Sequence, residues 1–66
     1  MKFAERFMVE LKGCKWTQKE LAKKLQIDES NLTKWKKGEN IPSLSVFFDL
    51  CKLLDVSADY LLGLTD

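Results

Sequence analysis

The apolar residues of this chain fall in short segments with the spacing of one helix face, and helix-starting or helix-ending residues bound each segment. In the first segment, residues 2–12, apolar side chains recur every three or four positions. Gly13 follows, and we expect it to end this helix in the left-handed conformation. No segment alternates with the period of two that is typical of a half-buried strand. The sequence therefore predicts an all-α fold.

Two short helices are predicted in the middle of the chain. The Thr-Gln-Lys-Glu sequence at residues 17–20 is a capping box, and it starts a helix that runs to about Leu25. Asp28 is a suitable N-cap for a third helix that ends at Lys37, before Gly38. Because an isolated helix of about two turns is marginal in water, the second helix must pack on its neighbour.

The second half of the chain contains two further cap signals. Ser43 can cap a fourth helix that reaches Leu54 or Asp55, and Ser57 can cap a short fifth helix.

Trp35 could stack on a nucleobase, but its spacing from the apolar residue three positions earlier favours the core. The predicted inward-facing residues are Phe3, Ala4, Phe7, Met8, Leu11, Leu21, Ala22, Leu25, Leu32, Trp35, Leu44, Phe47, Phe48, Leu50, Cys51 and Leu54.

Length and composition exclude most other classes of function. A chain of 66 residues allows one domain, residues 1–66. It has no histidine, and Cys14 and Cys51 lie 37 positions apart, so we expect no enzyme, metal site, cofactor or disulfide, and Cys51 should be a core residue. No transmembrane segment or secretory signal is visible, so we expect a cytoplasmic protein that does not bind membranes.

The charge is distributed unevenly along the chain. The formal net charge is +1, but residues 12–37 carry eight lysines against three acids, whereas residues 38–66 carry one lysine against five acids. Lysines often occupy solvated helix faces without any further role, so the pattern alone is weak. Together with the two predicted helices in the same stretch, it indicates a polyanionic partner.

Specific residues along the chain also indicate a protein family. The chain resembles the phage repressor and Cro-like family, also called the XRE family, over essentially its whole length. The residues that carry the resemblance are Thr17-Gln18, Leu21-Ala22, Leu25, Ile27, Leu32, Trp35, Gly38, Pro42-Ser43-Leu44, Leu50, Leu53-Leu54, Val56-Ser57 and Asp59-Tyr60-Leu61-Leu62-Gly63. The resemblance implies a compact five-helix, lambda-repressor-like fold with a helix-turn-helix at about residues 17–37.

The resemblance also implies sequence-specific binding of double-stranded DNA by a transcriptional regulator, with the third helix in the major groove. Repression of a palindromic operator by a homodimer is the expected form of regulation. The candidate base-reading residues are Gln18, Glu29, Ser30, Asn31, Thr33 and Lys34. The candidate phosphate contacts are Lys15, Thr17, Lys36, Lys37 and Asn40, and the candidate dimer contacts are Tyr60, Leu61, Leu62 and Leu64.

Three features leave alternatives open or depart from the family pattern. Glu29 is either a specificity element that accepts from a cytosine amine or part of the helix cap. Gln26 stands where the family usually has glycine, and Lys36 where it often has glutamate. The same fold could also serve as a protein-interaction or antitoxin-like module, which would favour exposed aromatic or leucine side chains on the third helix.

Overall fold

The computed structural model describes residues 1–65, and within them every regular element is a helix. The five helices are α1 (Phe3–Gly13), α2 (Gln18–Leu25), α3 (Glu29–Lys37), α4 (Leu44–Leu54) and α5 (Ala58–Leu62). The all-α, five-helix prediction is therefore confirmed. Helix α1 packs against α3 and α5, while α2 packs against α3 and α4, so α2 and α3 are held from both sides.

Side-chain caps begin four of the five helices at the predicted residues. The Thr17 hydroxyl accepts from the backbone amide of Glu20, and the Glu20 carboxylate accepts from the Thr17 amide at 2.9 Å, which completes the capping box. The side chains of Asp28, Ser43 and Ser57 cap α3, α4 and α5 by accepting from a backbone amide in the first turn of each helix. Gly13 is different from the prediction, because it forms the last residue of α1 and the extended Cys14 follows it.

Ten apolar residues form one core to which all five helices contribute. An aromatic cluster lies at its centre: the rings of Phe3 and Phe7 stack at 5.5 Å, and the edge of Trp35 meets Phe7 at 5.6 Å. Trp35 is buried, so its predicted core role is confirmed. The complete core is Phe3, Phe7, Leu21, Ala22, Leu25, Leu32, Trp35, Phe47, Leu50 and Leu61.

Three predicted core residues lie on the surface instead. Phe48 is 60% exposed, Leu44 is 83% exposed and Met8 is 40% exposed. A helix buries one stripe in so small a domain, and α4 uses Phe47 and Leu50 for that stripe. Leu44 and Phe48 lie outside that stripe and stay exposed. Ala4, Leu11, Cys51 and Leu54 are intermediate in burial.

Among residues 1–65, two residues other than glycine take the left-handed conformation, and both follow the end of a helix. Gln26 has φ of 59° after α2, and Asp55 has φ of 56° after α4. A side chain with a Cβ is strained in this region, although Asp tolerates it better than Gln. Gln26 therefore pays this steric cost at the turn between α2 and α3.

Replacing Gln26 by glycine should relieve this strain. We expect Gln26→Gly to stabilise the domain by roughly 0.5–1 kcal/mol, because relief of the Cβ clash exceeds the added chain entropy of the unfolded state. Denaturant unfolding would measure the change. Asp55→Gly is the matched control and should gain less. Unchanged or reduced stability of Gln26→Gly would contradict this account of the turn.

Candidate nucleic-acid interface

The turn between α2 and α3 fixes how these two helices cross. The left-handed Gln26 ends α2, and the amide of Ile27 donates to the Ala22 carbonyl at 3.1 Å. Ala22 is buried, and a small residue there lets the two helices approach closely. Leu25 and Leu32 are also buried, one from each helix. The helix pair is therefore rigidly supported by the core.

Helix α3 separates an apolar face from a polar one. Leu32 and Trp35 are its buried residues. The polar side contains most of the predicted base-reading residues: Ser30 and Lys34 are exposed, while Asn31 and Thr33 are half-buried. This face consists of hydrogen-bonding and cationic side chains, and such groups can contact base edges in a major groove.

Gln18 connects the start of α2 to this polar face. Its amide nitrogen donates to the Thr33 hydroxyl at 3.1 Å, and the Lys36 ammonium donates to its amide oxygen at 2.7 Å. Gln18 is a candidate base-reading residue, and a bidentate pair with adenine would use both ends of its amide. In this structure both ends already have partners, and Lys36, a predicted phosphate contact, is one of them.

The other predicted phosphate contacts surround the α2–α3 pair. Lys37 is exposed at the end of α3, and the Lys15 ammonium lies 4.9 Å from the centre of the Trp16 ring. The Thr17 hydroxyl is engaged as the α2 cap, and the Asn40 side-chain oxygen accepts from the Ile41 amide at 2.9 Å. Lys15, Thr17 and Asn40 are thus held by local contacts.

Two residues at the start of α3 are constrained differently. The Asp28 carboxylate supplies the cap by accepting from the Ser30 amide at 2.8 Å. The Asn31 amide nitrogen donates to the Asp28 carbonyl at 3.1 Å. The side-chain oxygen of Asn31 takes no part in this bond. Glu29 is exposed in the first turn, where its charge is favourable to the helix dipole, but Asp28 makes the capping bond.

The predicted dimer contacts divide between the core and the surface. Leu61 is completely buried, so its assignment to a dimer surface is wrong: α5 uses it to cover the core. Leu64 is 72% exposed, and Tyr60 and Leu62 are intermediate. The Tyr60 hydroxyl donates to Glu10 at 3.1 Å, and this bond raises the pKa of the phenol.

Two sets of contacts, made by Trp16 and by Arg6, were not predicted from the sequence. Lys24 lies 4.3 Å from the centre of the Trp16 ring, so two lysines share one indole. Arg6 donates to the carbonyls of Tyr60 and Thr65, both at 2.6 Å, and ties α1 to the chain after α5. Trp16 lies before α2, so helical spacing does not relate it to Lys24, and Arg6 is 54 positions from Tyr60.

Caps also make the stability of the helix pair depend on pH. The Thr17 amide and then its hydroxyl lower the pKa of Glu20, and the Ser30 amide and hydroxyl lower the pKa of Asp28. A lowered pKa in the folded state means that these carboxylates stabilise the fold above their ordinary titration range. Their contribution is lost as the pH falls below about 4.

We therefore expect the melting temperature to fall between pH 5 and about pH 3, and Glu20→Gln with Asp28→Asn to lose less over that window. Thermal melts followed by circular dichroism would measure both proteins. Glu39→Gln removes one exposed carboxylate outside the helices and is the control. An identical pH profile for the wild type and the double variant would contradict the role of the caps.

The described residues also bear on metal sites, membrane-spanning helices and thiol sites. In residues 1–65, no cluster of three His, Cys, Asp or Glu residues could hold a metal ion, and no helix is both long and apolar enough to cross a bilayer. Cys14 and Cys51 are free thiols. Burial raises the pKa of the Cys51 thiol, which favours its protonated form.

Helices α2 and α3 are short and cross at a tight turn that contains one residue in the left-handed conformation. The second of them has a buried face and a polar face. This arrangement defines a helix-turn-helix. A family model described as helix-turn-helix matches residues 10–61. The chain belongs to this family, in its XRE-type branch.

Two curated relatives come from Bacillus subtilis (strain 168). The HTH-type transcriptional regulator ImmR is 42% identical over 48 residues, which are 73% of this chain and 38% of ImmR. The uncharacterized HTH-type transcriptional regulator YobD is 40% identical over 55 residues, 83% of this chain and 49% of YobD. The chain thus spans less than half the length of either relative.

Proposed function

We propose that this chain binds double-stranded DNA sequence-specifically as a transcriptional regulator. Helix α3 enters the major groove, and α2 lies across the sugar-phosphate backbone. The relatives named above are transcriptional regulators by name, which supports a regulatory function for this chain. A DNA target also supports the predicted cytoplasmic location.

The observation that carries the proposal is the polar face of α3. Ser30, Lys34 and Lys37 are exposed there on a helix whose opposite face is anchored in the core. The surrounding stretch, residues 12–37, holds most of the positive charge of the chain. A rigid polar helix within a basic region is suited to reading bases while lysines contact phosphates.

Phosphate contacts would come from both ends of the helix pair. The capping box satisfies the amides of Thr17 and Glu20 but leaves the first two amides of α2, those of Gln18 and Lys19, without an intrahelical acceptor. A phosphate oxygen placed before α2 would accept from them. Lys15 and Lys37 would hold neighbouring phosphates by charge.

The proposed functional unit is a homodimer that represses transcription from a palindromic operator. One domain buries too little surface for tight selective binding, so two copies on half-sites about one helical turn apart are needed. The exposed Leu64 and the half-buried Tyr60 and Leu62 remain as proposed dimer contacts. Leu62 also lines a shallow apolar depression that includes Ile41 and Leu44, and this depression would enlarge the contact.

The protein-interaction alternative is less well supported. It calls for large apolar side chains exposed on α3, but Leu32 and Trp35 are both buried. The exposed apolar residues lie on other elements, such as Phe48 on α4. DNA binding therefore remains the function that the α3 surface supports best.

Selection from a pool of random DNA duplexes would test the proposal. We expect enrichment of one sequence with two symmetric half-sites separated by about one helical turn. Enrichment of a single unpaired half-site would contradict the dimer, and sedimentation of the complex would check the same point independently. No enrichment at all would contradict sequence-specific DNA binding.

A further inference from the structure

The three side chains that join α2 to α3 form a hydrogen-bond chain with a fixed direction. An ammonium can only donate, so the Gln18 oxygen must be the atom that faces Lys36. This orientation places the Gln18 amide nitrogen, which can only donate, 3.1 Å from the Thr33 hydroxyl. Thr33 must then accept. Lys36 therefore determines which side of the Gln18 amide carries the oxygen and which carries the nitrogen.

The direction of the chain has a consequence at its far end. Thr33 uses an oxygen lone pair to accept from Gln18, so its own proton stays free. The bond from Gln18 therefore leaves the Thr33 proton available to donate. The unused amide proton of Gln18 is also a donor. The network thus presents donor protons from the polar face of α3.

We propose that Lys36 is a specificity-determining positioning residue, which makes Thr33 a donor toward a base edge that carries acceptors. This inference rests on the proposed DNA binding. In the major groove guanine presents the acceptors N7 and O6, thymine presents O4 and adenine presents N7, whereas cytosine presents only an amino donor at N4. The acceptor contacted by Thr33 therefore belongs to guanine, thymine or adenine, and cytosine is excluded.

A carboxylate at position 36 reverses every bond in the network. It can only accept, so the Gln18 amide turns over and its nitrogen donates to the carboxylate. The Gln18 oxygen then accepts the Thr33 proton, and Thr33 retains only acceptor sites for DNA. Lys36→Glu should therefore select against guanine and thymine at one position of each half-site and in favour of adenine or cytosine, whose amino groups donate in the major groove.

The test is duplex selection with the wild type, Lys36→Glu and Lys37→Glu in parallel, at lowered salt so that the lost charge does not prevent binding. Lys37→Glu is the matched control, because it makes the same charge change one residue further on, outside the network. Lys36→Gln is a second variant. Since its amide can either donate or accept, it should relax the preference at that position. A thermal melt of each variant confirms folding.

We expect the base preference of Lys36→Glu to change by about tenfold at a single position, with the rest of the selected sequence unchanged. Lys37→Glu should keep the wild-type sequence and lose affinity uniformly. The same preference in Lys36→Glu and the wild type, as a Thr33–phosphate contact would give, overturns the inference. Loss of enrichment in Lys36→Glu alone overturns it too. Failure of the wild type to enrich any sequence overturns the proposed function instead.

Discussion

Replacing Phe7 by alanine is expected to destabilise the fold by about 3–5 kcal/mol. Phe7 is fully buried, stacks on Phe3 and meets the edge of Trp35, so truncation opens a cavity where α1 meets α3. Small domains have a total stability of about 5–15 kcal/mol, so this loss would leave much of the protein unfolded. Denaturant titration followed by circular dichroism would measure the free energy of unfolding.

Phe48→Ala is the matched control for this prediction. The same side chain is removed there, but Phe48 is on the surface of α4, with the Lys52 ammonium 5.0 Å from the ring centre. We expect a loss of about 1 kcal/mol or less. Equal losses for the two variants would show that the core is not arranged as described.

The second large effect concerns the proposed DNA contacts. Replacing Lys34 and Lys37 together by alanine should weaken duplex binding by about tenfold or more at moderate salt, because each ammonium contributes to phosphate or base contact. Each lost phosphate contact should also reduce the slope of log K against log salt by about one. Fluorescence anisotropy over a range of salt concentrations would measure both quantities.

A double variant elsewhere separates local contact from net charge. Lys12 and Lys52 are exposed on α1 and α4, away from the polar face of α3, so replacing both by alanine removes the same charge. This control should retain nearly the wild-type slope. If Lys34→Ala with Lys37→Ala leaves the slope unchanged, α3 does not lie where we propose.

Helix boundaries were predictable from the sequence because short-range chemistry determines them. Thr17, Asp28, Ser43 and Ser57 cap helices in the structure as predicted, each through a side chain that satisfies a backbone amide two or three residues away. The core residues of α2 and α3 were predictable for a related reason. Those helices are short, and only one face of each is apolar.

The packing between residues far apart in the sequence was harder to predict. In α4 nearly every residue is apolar, so helical spacing alone could not distinguish the buried Phe47 from the exposed Phe48. The burial of Leu61 likewise depends on where α5 meets the core. For the candidate site, the sequence indicated the polar residues of α3, but the Lys36–Gln18 bond joins residues 18 positions apart and depends on the crossing of the two helices.

The most direct test of sequence-specific DNA binding compares two duplexes of equal length, one carrying the selected sequence and one with the same bases scrambled. Anisotropy titrations at a fixed moderate salt concentration would give both dissociation constants. We predict binding to the selected duplex that is tighter by a factor on the order of 10³ or more. Equal affinity for the two duplexes would contradict the account, because lysines alone would then explain all of the binding.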